Sequence, residues 1–239
     1  MRKFALTAFA GCAAAYGTNQ YQPMALHAKS MWGAPSVVEY KRDLDKSNLK
    51  LWLSKKGVLS AVGHNLVLKV NDWDSKISMN SSGECELYVE VQTPSIEVDC
   101  HWVPNDKGKH DGLDGKKVEL KPMENWAIKQ IHGTMRGKDI LQVDKFPTVV
   151  YKGKAVKKAG ALNFEGTLSL KGKDNSLACN SVITVEADMM GAPYFVMKGE
   201  TKLLQSNWGI KPLSQFMGSL QLKDEITARW EVHFVAKYD

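Results

Sequence analysis

From about residue 39 onward, apolar and polar residues alternate in short runs along the chain. Leu49, Leu51 and Leu53 alternate with Lys50, Trp52 and Ser54, and Leu66, Leu68 and Val70 with Val67 and Lys69. Cys85, Leu87, Val89 and Val91 alternate with Glu84, Glu86, Tyr88 and Glu90. Successive side chains of a strand point to opposite faces, so each run predicts a half-buried strand. The cluster Asn80-Ser81-Ser82-Gly83 predicts a hairpin turn. Ile96 and Val98 continue the strand signal up to a loop, 104–117, rich in Gly, Asp and Lys. Further strand signals lie at 148–152, 162–170, 180–186, 194–204, 217–222 and 226–235.

One segment has a different period. Between Pro122 and Met135, the apolar residues Met123, Ala127, Ile131 and Met135 fall four apart with Trp126 beside them, which is one face of a helix. Gly133 and Gly137 predict that it is short. Many strands in sequence, short turns and a single helix predict an all-β fold, an antiparallel barrel or sandwich of about eight strands. A parallel α/β sheet needs a helical crossover for nearly every strand, and these are missing.

The 239 residues, 44% hydrophobic and 24% charged, are enough for one domain with a full core or a ligand cavity. No run of about twenty apolar residues predicts a membrane-spanning helix. The net charge of +6 is dispersed among acidic residues, with no Arg-rich helix or aromatic–basic ladder, so nucleic acid is not the expected partner.

The N-terminus has the marks of a targeting segment over residues 1–15: Arg2 and Lys3, an apolar run from Phe4, and Ala13-Ala14-Ala15. Three fates fit it. The protein is exported to the periplasm or beyond; or Cys12, in Phe9-Ala10-Gly11-Cys12, is acylated as in a lipoprotein; or, with no acidic residue before Glu39, the segment addresses an organelle. Residues 16–38 read as an irregular arm or linker, and 39–239 as the barrel.

Cys85, Cys100 and Cys179 remain beyond that segment, an odd number that cannot pair fully within one chain. They read as small apolar packing residues, with a Cys85–Cys100 disulfide as the alternative in an oxidising compartment. Cys100-His101 and His110 do not have zinc spacing. Ser60 and His64 lie four apart without a nucleophile elbow, and phosphate-loop, HExxH and EF-hand patterns are missing. The expectation is therefore a protein that is not an enzyme and carries no catalytic cofactor.

Several motifs, in order, resemble the YceI-like family of exported lipid-binding proteins. Tyr40, Asp45, Ser47 and Leu49 resemble its opening strand, and Gly57-Val58-Leu59-Ser60-Ala61-Val62-Gly63-His64-Asn65 resembles its apolar turn ending in Gly-His. Leu141, Asp144, Phe146, Pro147 and Thr148 resemble its signature after the helix. Gly166-Thr167-Leu168-Ser169-Leu170-Lys171-Gly172, Ser206-Asn207-Trp208-Gly209-Ile210 and Lys223-Asp224-Glu225-Ile226 resemble its later elements. The resemblance spans about residues 40–236 and implies a lipocalin-like barrel holding a polyisoprenoid, such as a quinone, or another long acyl chain. Two features depart from it. Relatives often carry a second histidine just after Gly-His, where this chain has Asn65 and Leu66, and the 16–38 arm and 104–117 loop have no counterpart.

On that reading the lumen candidates are Leu51, Leu68, Leu87, Val89, Phe164, Leu168 and Phe195, with His64 as a rim residue for a headgroup. Alternation assigns a shared face within each strand but does not say which face is the lumen. The ten methionines suit a mobile lipid or fill an ordinary core; Met189 and Met190, beside Gly191, mark a mouth or an apolar turn. Trp208-Gly209 reads as a packing corner. Lys145, Lys152, Lys154, Lys157 and Lys158 read as a solvated hairpin or as contacts to anionic headgroups. The alternative function is a non-catalytic accessory subunit, with the barrel as scaffold and the arm or long loop docked on a membrane-associated complex.

Overall fold

A computed structural model describes residues 37–80, 84–158, 161–187 and 193–236. The targeting segment, nearly all of the arm, the tip of the predicted 80–83 turn and Met189-Met190-Gly191 lie outside the described residues. In chain order the elements are β1 (Val37–Arg42), β2 (Asn48–Lys56), β3 (Asn65–Val70), β4 (Trp73–Asn80), β5 (Cys85–Gln92), β6 (Ile96–Pro104), β7 (His110–Asp111), β8 (Lys117–Lys121) and α1 (Asn125–Arg136). After the helix come β9 (Thr148–Lys158), β10 (Ala161–Leu170), β11 (Lys173–Ala187), β12 (Pro193–Leu204), β13 (Ser214–Gln215) and β14 (Leu220–Ala236).

Antiparallel pairing runs β1–β4–β5–β9–β10–β11–β12–β14 and returns from β14 to β1, closing an eight-stranded barrel. Closure leaves no long free edge within that ring. β2, β3 and β6 continue three of its staves past a bend. β1 and β2 both pair with β14, at Tyr40↔Ala236 and at Asn48↔Glu231, so they are one strand interrupted at 43–47. β3 and β4 are likewise halves of one strand bent at Asn71-Asp72, and β5 and β6 of one bent at the short 3-10 turn Thr93–Ser95. That corner is fixed by buried Thr93, whose N–H donates to the Pro147 carbonyl (2.8 Å) and whose hydroxyl donates to the Phe146 carbonyl (2.9 Å).

Beyond the corner the sheet splays. β5 pairs with β9 only as far as Gln92↔Thr148, and β6 instead takes β8 on its outer edge. α1 lies across this opening. The Val98 N–H donates to His132 Nε2 (2.9 Å), and Arg136 donates to the Pro94 carbonyl (2.9 Å).

There are two apolar clusters. The large one fills the barrel interior. The small one, Trp52, Val67, Cys100, Trp102 and Val118, lies on the outer face of β2, β3 and β6. A one-residue bulge at Asp99, where Val67 pairs Cys100 but Leu68 pairs Val98, turns Cys100 and Trp102 outward. The 104–117 segment, expected as a loop, contains β7 and a 3-10 turn (Leu113–Gly115) and folds over this patch with Leu113. Arg229 holds it there, donating to the Asp111 and Gly112 carbonyls (2.8 Å each) and pairing with Glu200 (2.9 Å).

Other boundaries moved for identifiable reasons. β1 starts at Val37, inside the expected arm. The sequence pattern does not predict β4, because Ser75 interrupts the apolar period of Trp73 and Ile77. The strand expected over 217–222 begins at Leu220, since Phe216 and Met217 turn through φ 49° and 54°. β11 starts at Lys173, seven residues before its apolar signal.

Candidate functional site

The two ends of the barrel are filled differently. At the end where β1 pairs with β4, the side chains of Tyr40, Ile77, Cys85, Phe164, Phe195 and Phe234 are all buried and close-packed, with Tyr40 and Phe195 edge to face at 5.1 Å. Toward the other end the inward residues are mostly Leu, Ile and Val, with Trp73, Tyr151 and Trp230 among them, and leave a cavity of ≈ 580 Å³, within the roughly 300–1,000 Å³ of small-molecule sites. Its wall is apolar on every side: Leu49, Leu51 and Leu53 of β2, Leu66, Leu68 and Val70 of β3, Leu87, Val89 and Val91 of β5, and Ile226, Trp230 and Val232 of β14. Met123, just ahead of α1, and Ala127, Ile131 and Met135 of α1 line it from above, the same set whose spacing predicts the helix. The outward residues of β2, β3, β5 and β9 include Lys50, Lys69, Glu86, Glu90, Lys152 and Lys154, several of them in ion pairs. An apolar lumen inside a charged exterior is the reverse of a membrane-spanning barrel, where the outside faces lipid.

Most polar groups of the wall are already occupied. The Tyr151 hydroxyl lies 3.0 Å from the Phe164 carbonyl and 3.2 Å from that of Leu177, and burial pushes its pKa up. Burial likewise pushes the Cys179 thiol up to about 11, so it stays protonated. Thr201 donates to the Ala178 carbonyl (2.6 Å) and Gln205 to that of Lys223 (3.0 Å). Ser75 Oγ and Trp230 Nε1, also on the wall, are buried without a partner.

At the mouth, Lys55 Nζ donates to the Gly63 carbonyl (2.7 Å), and the His64 ring stands 4.8 Å from that of His101, edge to face. Burial lowers the His101 pKa first, and His64, Lys121 and Lys55 lower it further. Among the described residues, no three His, Cys, Asp or Glu side chains cluster as a metal site.

Residues 40–234 match the YceI-like domain. The chain belongs to the YceI-like family. Two crystal structures share the fold. Burkholderia cenocepacia BcnA superposes with a TM-score of 0.56 at 12% identity, over 80% of this chain and 98% of its own. A cysteine mutant of the Campylobacter jejuni YCEI protein gives 0.50 at 15% identity, over 72% of this chain and 85% of its own. No curated protein matches the sequence.

Within this YceI-like barrel, Leu51, Leu68, Leu87, Val89 and Leu168 line the cavity. Phe164 and Phe195, expected in the lumen lining, are instead buried in the closed end, because both lie near the start of their strands, β10 and β12, which is at that end. His64 is at the mouth, and His101, which the sequence left unassigned, meets it there from another strand. The Asp99 bulge brings His101 to the inner face, which no local sequence signal announces. Lys145 of the basic run precedes β9 and lies over the Phe146 ring, whereas Lys152 and Lys154 are exposed on the outer wall, where Lys154 pairs with Glu86 (3.4 Å) and Lys152 lies over the Tyr88 ring. Their hairpin is at the closed end, away from the mouth, as β9 runs toward Lys158. Cys85, Cys100 and Cys179 are buried and form no disulfide with one another. Cys85 faces the interior and Cys100 the outer cluster, so no Cys85–Cys100 bridge forms. Trp208 is a packing corner, its indole N–H donating to the Leu168 carbonyl (2.9 Å) ahead of Gly209 at φ 70°.

Proposed function

We propose that this protein holds a long apolar lipid, a polyisoprenoid such as a quinone tail or a long acyl chain, in the open half of its barrel, as a carrier or reservoir. The observation that carries the reading is the ≈ 580 Å³ cavity with an apolar wall, one packed end and one open end. Membership of a family of lipid-binding barrels supports it. A chain in this space is removed from water at about 0.8 kcal/mol per methylene, before the loss of its own conformational freedom. Selectivity then follows length and cross-section, since few wall groups have hydrogen bonds to offer.

Mass spectrometry of an organic extract from the natively purified protein tests the reading. The expected result is one isoprenoid or long acyl lipid in stoichiometric amount. A clean extract, together with no uptake of added quinone, would overturn it.

A further inference from the structure

Large apolar side chains are concentrated in solvent around the mouth of the cavity. Among the described residues, the five most exposed are Met217 (107%), Val58 (88%), Trp126 (70%), Leu44 (68%) and Phe216 (66%). All but Leu44 stand on the three segments that frame the opening. Val58 is on the turn between β2 and β3, Phe216 and Met217 are on the turn between β13 and β14, and Trp126 is on the first turn of α1.

The two turns are built against each other. The Leu59 N–H donates to the Ser219 carbonyl (2.9 Å), and Gly57, at φ 101°, leaves room where a Cβ would stand 2.4 Å from that same oxygen. Phe216 and Met217 adopt left-handed backbone, uncommon for such side chains and costing on the order of 1–3 kcal/mol each. The fold therefore spends strain to hold Met217 in solvent and Phe216, two-thirds exposed, at the lip of the cavity it also lines.

Charge separates in the same place. Residues 55–65, 121–138 and 205–223 contain eight lysines and arginines and one acidic residue, Glu124. That surplus of seven exceeds the net charge of +6 for the whole chain. Lys56, Lys129, Lys211 and Lys223 are exposed there. The nearest acids after Lys223 are engaged: Asp224 accepts from Ser206, and Glu225 pairs with Lys202 (3.3 Å).

We propose that this rim is a membrane-docking surface: Val58, Phe216, Met217 and Trp126 enter the interfacial layer of an anionic bilayer, and the surrounding lysines meet its headgroups. Apolar tips set among cations are how a monotopic surface binds anionic lipid. The inference deepens the cavity reading, and rests on it for its purpose, since a docked mouth lets a lipid pass from bilayer to lumen without crossing water.

The test is co-sedimentation of the full chain with phosphatidylcholine vesicles, with and without phosphatidylglycerol. The altered chain carries Val58→Ser, Phe216→Asn and Met217→Asn; Asn tolerates the left-handed backbone, so the turn persists. Val182→Ser, removing an exposed apolar residue from the outer wall, is the control. The expected result is binding to the anionic vesicles that salt weakens, lowered about tenfold or more in the triple variant, and unchanged in the control, with all three chains melting alike. Equal binding by the triple variant overturns the proposal, because another part of the chain then holds the membrane. So does failure of the unaltered chain to bind either vesicle, which leaves the loops to a protein partner. Lipid content, read on the same samples, separates the two readings: a chain that docks but carries no lipid keeps the rim and overturns the cavity.

Discussion

The closed and open halves of the barrel are made from the same strands with the same inward alternation, yet one is solid and the other hollow. In the closed half the inward residues include Tyr40, Phe164, Phe195 and Phe234; in the open half they are chiefly leucine, isoleucine and valine. An eight-stranded barrel is just wide enough for its side chains to fill or for one small ligand, so the size of the residues in each layer decides between the two. The bends at 43–47, at Asn71-Asp72 and at Thr93–Ser95 widen the open half further, and α1 roofs it. Hydrophobicity makes the interior, but side-chain volume and strand bending make the cavity.

The largest expected effect comes from emptying the solid half. Phe164 is fully buried, so Phe164→Ala is expected to lower the unfolding free energy by about 3–5 kcal/mol, transfer and new cavity together. Leu51→Ala, on the wall of space that already exists, is expected to cost about 1 kcal/mol, mostly the transfer part. Urea denaturation of both variants makes the comparison. Equal losses would mean that the open half is packed in solution as tightly as the closed one.

Filling the hollow half is the complementary experiment, with a smaller effect on stability. Val89 is half-buried on the cavity wall, and Val89→Trp places an aromatic where a ligand would lie. Overpacking a filled core costs about 1–3 kcal/mol; here the expected change is under about 1 kcal/mol, with loss of co-purifying lipid. A variant that keeps its lipid in full amount, or falls as a filled core would, contradicts the hollow.

The same contrast explains how much of the molecule was legible in its sequence. Period-two alternation gave most strands, period four gave α1 with its cavity face, and the ordered motifs gave the family. Height within the barrel was not legible. Phe164 and Leu168 share a face of β10 four residues apart, but the rise along the strand puts one in the plug and the other on the cavity wall. Nor were the bends, which turn three continuous barrel strands into six shorter ones. The His64–His101 contact was hidden for a third reason: its partners lie 37 residues apart, and only the bulge at Asp99 aims the second one inward.

The smallest expected effect concerns the roof, which distinguishes the open half from the closed one by being held at few points. The Val98 N–H donates to His132 Nε2, and an imidazolium has no lone pair there to accept it. Burial lowers the His132 pKa below its ordinary 6.5, Arg136 lowers it further, and Glu97 opposes them. A lowered folded-state value means that the unfolded chain binds more protons between the two values, so stability rises with pH across that window. The bond's contribution, about 1 kcal/mol or less, is fully present above the ordinary histidine range and is lost as pH falls through the lowered value. His101 is shifted in the same direction, so global unfolding carries both histidines. Hydrogen exchange at the Val98 amide isolates His132: protection, corrected for intrinsic exchange, is expected to drop as pH falls below 6.5, and to become independent of pH in His132→Gln, whose side-chain carbonyl accepts without titrating. Falling protection in that variant too would place the pH sensitivity elsewhere in the open half and free the roof from this tether.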